Sequence, residues 1–157
     1  MNTNRERYPY TLHTNRELEL MLAGIKPFAA FVVDRTPGFE KSDMLSDQDF
    51  DTHVASGVMS EHVRTVSTHR PDGTPIEIVR YFYALKGEEW RVEAYCLLLD
   101  LLQRGGWCPQ LEWLEGKLLG YTDEQNAYHL SRAYPTNQTM AWAAPSANYL
   151  DLLKPNN

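Results

Sequence analysis

The sequence predicts an α+β fold, a small antiparallel sheet packed against a C-terminal group of about three helices. Two observations predict it. Extended segments at about 58–69 and 76–85 flank Arg70-Pro71-Asp72-Gly73-Thr74-Pro75, where Asp-Gly between prolines supplies the backbone angles a hairpin connection needs. After Gly87 no strand pattern recurs, and three helical patterns follow in succession. Strands first and helices after is an α+β order. A chain of 157 residues fits one domain, 1–157, burying roughly 68–70% of its unfolded surface without a disulfide or metal staple.

Each element has its own signal. Thr14-Asn15-Arg16-Glu17 has the form of a capping box, so a short helix is expected up to Gly24, with Leu18, Met21 and Leu22 on one face. Phe28–Val33 is a continuous apolar run after Pro27 and reads as a buried strand. Between Asp34 and Asp51 the expectation is a surface loop, with a short helix near Phe50–Ala55. The hairpin comes next. Glu88 to Arg104 then reads as a helix ended by Gly105-Gly106. Its narrow polar stripe, Glu89, Glu93, Cys96, Asp100, Gln103 and Arg104, predicts that it is covered on most sides. Pro109 suits the first position of a second helix, stopped by Gly120. Thr122-Asp123-Glu124-Gln125 is a second capping box and opens a third helix to about Arg132. From about 134 the chain reads as irregular, yet Trp142, Tyr149, Leu150, Leu152 and Leu153 predict a tail packed back on the domain.

Charge and motifs exclude several functions. A net charge of −6 argues against nucleic acid and anionic membranes, whose binders concentrate Lys and Arg. No apolar run is long enough to span a bilayer, and Met1–Tyr10 lacks the apolar core of a signal peptide. Cys96 and Cys108 have no metal-ligand spacing and read as reduced thiols of a cytoplasmic protein, which leaves the sequon at Asn137 unused. No cofactor loop or nucleophile elbow is present. Asp47-Gln48-Asp49-Phe50-Asp51 imitates a calcium loop, but its sixth and twelfth positions are Thr52 and Val58, where glycine and glutamate are required. Asp49 and His53 would share a helix face without a third ligand, and the other histidines are dispersed, so no metal site is expected.

Two constellations remain. Residues 34–51 hold six acids against two bases, which concentrates most of the net charge in one segment. The reading drawn from it is a non-catalytic protein-binding domain, of adaptor or toxin-neutralising type. Asp43, Asp47, Asp49 and Asp51 would steer a basic protein partner, with Phe39 or Phe50 as apolar anchor. In the second constellation, Arg91 and Glu115 project onto the apolar sides of their helices and are expected to pair, with Gly116 and Gly120 admitting a close backbone. The alternative function built on them is an enzyme with a pocket between hairpin and helices, Glu115 as acid/base and Arg91 holding an anion. Tyr81, Phe82, Tyr83, Trp90, Tyr95, Trp107, Trp113 and Tyr121 would fill the core or line that pocket. A third alternative is a structural subunit that oligomerises through its apolar tail.

Overall fold

The computed structural model describes residues 8–35, 38, 40–45 and 48–135. Among them the chain forms α1 (Glu17–Leu22), β1 (Phe28–Asp34), α2 (Lys41–Leu45), α3 (Phe50–Ala55), β2 (Met59–His69), β3 (Pro75–Leu85), α4 (Trp90–Gly105), α5 (Pro109–Leu118) and α6 (Asp123–Ala133). The sheet is antiparallel in the order β1-β3-β2. The α+β class, the hairpin and the three C-terminal helices are therefore as predicted. The tail proposed to pack back from about 134 lies outside the described residues beyond Pro135. No described helix is long and apolar enough to cross a membrane.

The hairpin turn forms for the reason its composition suggested. Gly73 takes φ +85, its N–H donates to Arg70 O at 2.8 Å, and the Asp72 carboxylate accepts from Thr74 N–H at 2.9 Å. Register then follows, with Phe82 opposite His62 on β2 and opposite Ala30 on β1. Alternation along β3 sends Phe82 and Ala84 to one face and Tyr83 to the other. On the first face they meet Phe28, Val92, Tyr95, Leu98 and Leu118. On the second, Tyr83 joins Met21, Ala29, Leu45, Phe50 and Met59. Each fully buried side chain of this size contributes roughly 1.5–3 kcal/mol.

Several expectations are corrected. The first capping box does not form. Arg16 is the N-cap of α1 without a side-chain bond, because Asn15 takes φ +62 and the Glu17 carboxylate caps Asn15 N–H instead. The acidic segment contains a helix, α2, that was expected to be loop. Phe28–Val33 is an edge strand, buried at Phe28 and Ala29 but with Val32 open, because the covering helices reach only one end of the sheet. Nor is α4 enclosed. β3 and α5 are its main neighbours, and its outer side leaves Leu97 61% exposed. Trp90 and Trp107, expected in the core, are likewise exposed.

Phe50 stacks on Tyr83 with ring centroids 4.1 Å apart and is fully buried. Phe50→Ala is expected to cost about 3–5 kcal/mol in denaturant unfolding. A surface anchor at that position would leave the unfolding midpoint unchanged.

Candidate functional site

Among the described residues four polar or charged side chains are buried, His13, Lys26, Arg80 and Asn126. Three of them gather where the N-terminal segment runs against α5 and α6. The approach depends on Gly120. It takes φ +90, and a Cβ there would lie 2.5 Å from Pro27 Cδ, so only glycine lets residues 25–27 pass this closely. Lys26 is thereby driven inward, where its Nζ donates to Leu119 O at 3.0 Å and to His13 Nδ1 at 3.4 Å. The His13 ring stacks on Tyr121 at 3.9 Å, and His13 N–H donates to the Tyr121 hydroxyl.

Beside this cluster lies a cavity of about 180 Å³, closed by Tyr8, Tyr10 and Leu12 on one side and by α5 and α6 on the other. Helical spacing selects its wall. Glu112, Glu115, Gly116 and Leu119 follow one another at i, i+3, i+4 and i+7, and Asn126 and His129 at i, i+3, so each set shares a face. Gly116 is required by the packing of the two helices. Its ideal Cβ would lie 1.9 Å from Asn126 Oδ1. The formed capping box at Thr122 and Gln125 sets where α6 begins and hence which of its residues face α5.

The two glutamates are held differently. Glu112 Oε1 accepts from His129 Nε2 at 2.5 Å, and Oε2 accepts from the Tyr134 hydroxyl at 2.6 Å. His129 Nδ1 meets the Tyr8 hydroxyl at 3.0 Å. In the neutral imidazole this places the proton on Nε2, and Tyr8, His129 and Glu112 form a hydroxyl–imidazole–carboxylate chain. Glu115 Oε1 accepts from the Tyr95 hydroxyl at 2.6 Å, while Oε2 has no partner among the described residues. Asn126 is 5% exposed, and its Nδ2 also lacks a partner.

Burial governs the titration of these groups. It raises the Glu115 carboxyl above its ordinary value, against the opposing hydrogen bond from Tyr95. Tyr10 is pushed up to about 12, first by burial and then by the neighbouring tyrosines. Lys26 is brought down to about 8 by burial, with Glu17 and Glu115 opposing. His13 falls to about 4, through burial and then the Lys26 charge.

Arg91 and Glu115 do not pair. Arg91 Nε donates to Glu88 at 2.6 Å, and its Nη1 donates to the carbonyls of Lys117 and Leu118 at the end of α5. A guanidinium at the start of α4 is compensated there by the negative end of the neighbouring helix. Arg91 therefore holds no anion at the cavity, and the cavity lies between the N-terminal segment, α5 and α6 instead of beside the hairpin. Glu115 does line it. In the acidic segment, Asp47 lies outside the described residues. Asp43 accepts from Glu40 N–H, Asp49 caps α3 through Thr52, and Asp51 pairs with Lys41. Phe50, the proposed exposed anchor, is core. Among the described residues no group of three or more His, Cys, Asp or Glu is placed to hold a metal. Tyr8, Tyr10, Asn126 and His129 were not singled out in the sequence. The shared helical spacing of Glu112 with Glu115, and of Asn126 with His129, was the available signal.

Two outcomes follow from this geometry. Gly116→Ala should lose about 1–3 kcal/mol of stability by forcing α5 from Asn126, and adding Asn126→Ala should recover part of the loss. Strict additivity of the two substitutions in a double-mutant cycle would show that this contact is not the cause. His13 titrates near 6.5 when unfolded and about 4 when folded, so the unfolded chain holds more protons between those values. The contribution of His13 is complete above pH 6.5 and declines as pH falls toward 4, by up to about 3 kcal/mol. His13→Phe, which keeps a ring against Tyr121, should flatten urea-measured stability over that window; an unaltered slope would assign the loss to other groups. Against known proteins, the chain matches no family model, no curated protein and no solved structure.

Proposed function

We propose that the protein is a non-catalytic binding domain whose site is the cavity between residues 8–12, α5 and α6. The observation that carries this reading is Asn126, a buried side chain that lines a cavity of about 180 Å³ and whose amide Nδ2 has no partner. A buried donor without an acceptor costs about 1–3 kcal/mol, and a ligand supplying the acceptor removes that cost. Three tyrosines around a few polar groups is the usual form of a small-molecule site. The cysteines among the described residues, Cys96 and Cys108, are unpaired, which supports placing the domain in a reducing compartment, the cytoplasm.

A second reading keeps a basic protein partner on the acidic segment. It is supported by the exposure of Asp43, Asp49 and Asp51, the last two lining a recess of about 250 Å³ with Lys41 and Gln48. Here steering charge remains, while of the two apolar anchors Phe50 is core and Phe39 lies outside the described residues.

Titration of the isotope-labelled protein with a broad set of small fragments separates the two. Saturable shifts at Asn126, Leu119 and Tyr121 are expected. If no fragment moves those signals, the cavity reading is lost. Asp43→Lys with Asp51→Lys, which spares the Asp49 cap, should abolish binding of a basic partner, and a partner held at unchanged salt dependence would remove the second reading.

A further inference from the structure

We propose that the ligand of this cavity is a small organic cation, a primary ammonium carrying a hydrogen-bond acceptor one or two carbons away. The inference rests on the cavity being a ligand site and assigns its chemical class. Three features select that class.

The first is Glu115. One carboxylate oxygen is held by Tyr95, and the other has no partner among the described residues. Glu112, by contrast, has both oxygens engaged by His129 and Tyr134, so its charge contributes to the field without offering a free acceptor. An anion would face two carboxylates, and the basic side chain on the cavity wall, His129, is already engaged by Glu112. Lys26 does not line the cavity, and its Nζ is spent on Leu119 O and His13 Nδ1.

The second is the aromatic wall. Tyr8, Tyr10 and Tyr121 surround the space next to Glu115, and an ammonium among tyrosine rings is attracted by their negative faces once water is displaced. Burial raises the Glu115 carboxyl; a bound ammonium opposes that effect by favouring the carboxylate.

The third is Asn126. Its amide Nδ2 donates to nothing and is shut from solvent, so a ligand that accepts there draws the amide toward the cavity that Asn126 lines while it donates to Glu115. A simple alkylammonium satisfies only one of the two. The cavity has the volume of about six water molecules, which limits the ligand, or the part of it that enters, to a few heavy atoms.

Four small probes, three of them isosteric and glycolate one atom larger, test the assignment on the full chain by NMR. Ethanolamine has both groups, n-propylammonium lacks the acceptor, ethylene glycol lacks the charge, and glycolate inverts it. Ethanolamine should shift the Asn126 side-chain amide and the Gly116 and Leu119 backbone amides saturably, with each other probe at least tenfold weaker. Glu115→Gln, which keeps an acceptor for Tyr95, should weaken ethanolamine at least tenfold while leaving the thermal midpoint within a few degrees. Should that variant unfold, the order of the four probes on the unaltered protein decides alone. Glycol or glycolate binding as tightly as ethanolamine overturns the cation and leaves the cavity a ligand site. Silence from all four probes also overturns the cation, and if the broad fragment set moves the same resonances the cavity reading survives it.

Discussion

Phe82 and Tyr83 are neighbours in the chain and point to opposite faces of the central strand, and each anchors one of the two hydrophobic clusters. β3 is the strand with a partner on both sides. A shift of its register by one residue would exchange the two faces and place Tyr83 beneath α4 and Phe82 against α3. Tyr83 cannot make that exchange without loss, since its hydroxyl donates to Glu61 at 2.7 Å beside Lys41. The alternation of β3 therefore decides which helices lie on which face, and through α4 it decides where α5 and α6 stand.

The cavity depends on this arrangement at second hand. Tyr95 of α4 packs against Phe28 and Phe82, and its hydroxyl reaches Glu115 on α5. A core aromatic thus holds one oxygen of a glutamate that lines the cavity. Gly116 and Gly120 complete the geometry from α5 and its end. One admits Asn126 of α6, and the other admits the backbone of residues 25–27. Glycine at both points exchanges helix propensity for close approach, at a cost of about 1 kcal/mol where it sits within a helix.

Much of the fold was legible because it is local. The Asp72-Gly73 turn, the Thr122–Gln125 capping box and the Pro109 helix start each depend on residues within a few positions of one another. The Thr14 box failed for a reason that is also local but finer than its pattern, the positive φ of Asn15. Burial was less legible. Phe50 stands among aspartates and is core, whereas Leu97 stands in an apolar helix and is open. Composition around a residue reports what could be buried, and only the placement of neighbouring elements says what is. The site was partly legible: Glu115 projects inward on its helix as expected, but its partner is Tyr95 and not Arg91, because Arg91 reaches the carbonyl end of α5 first.

By itself the sequence determined the class, the hairpin and the three C-terminal helices, since period, turns and caps act over short stretches of chain. It also determined that most of the charge excess lies in 34–51. The tertiary structure alone decided which face of the sheet each helix covers and that α4 keeps an open side. It alone brought Tyr8 to His129 and His13 to Lys26. Those contacts join segments more than a hundred residues apart in the one case and a helix apart in the other. No local pattern encodes them, because they follow from packing geometry that several elements set together.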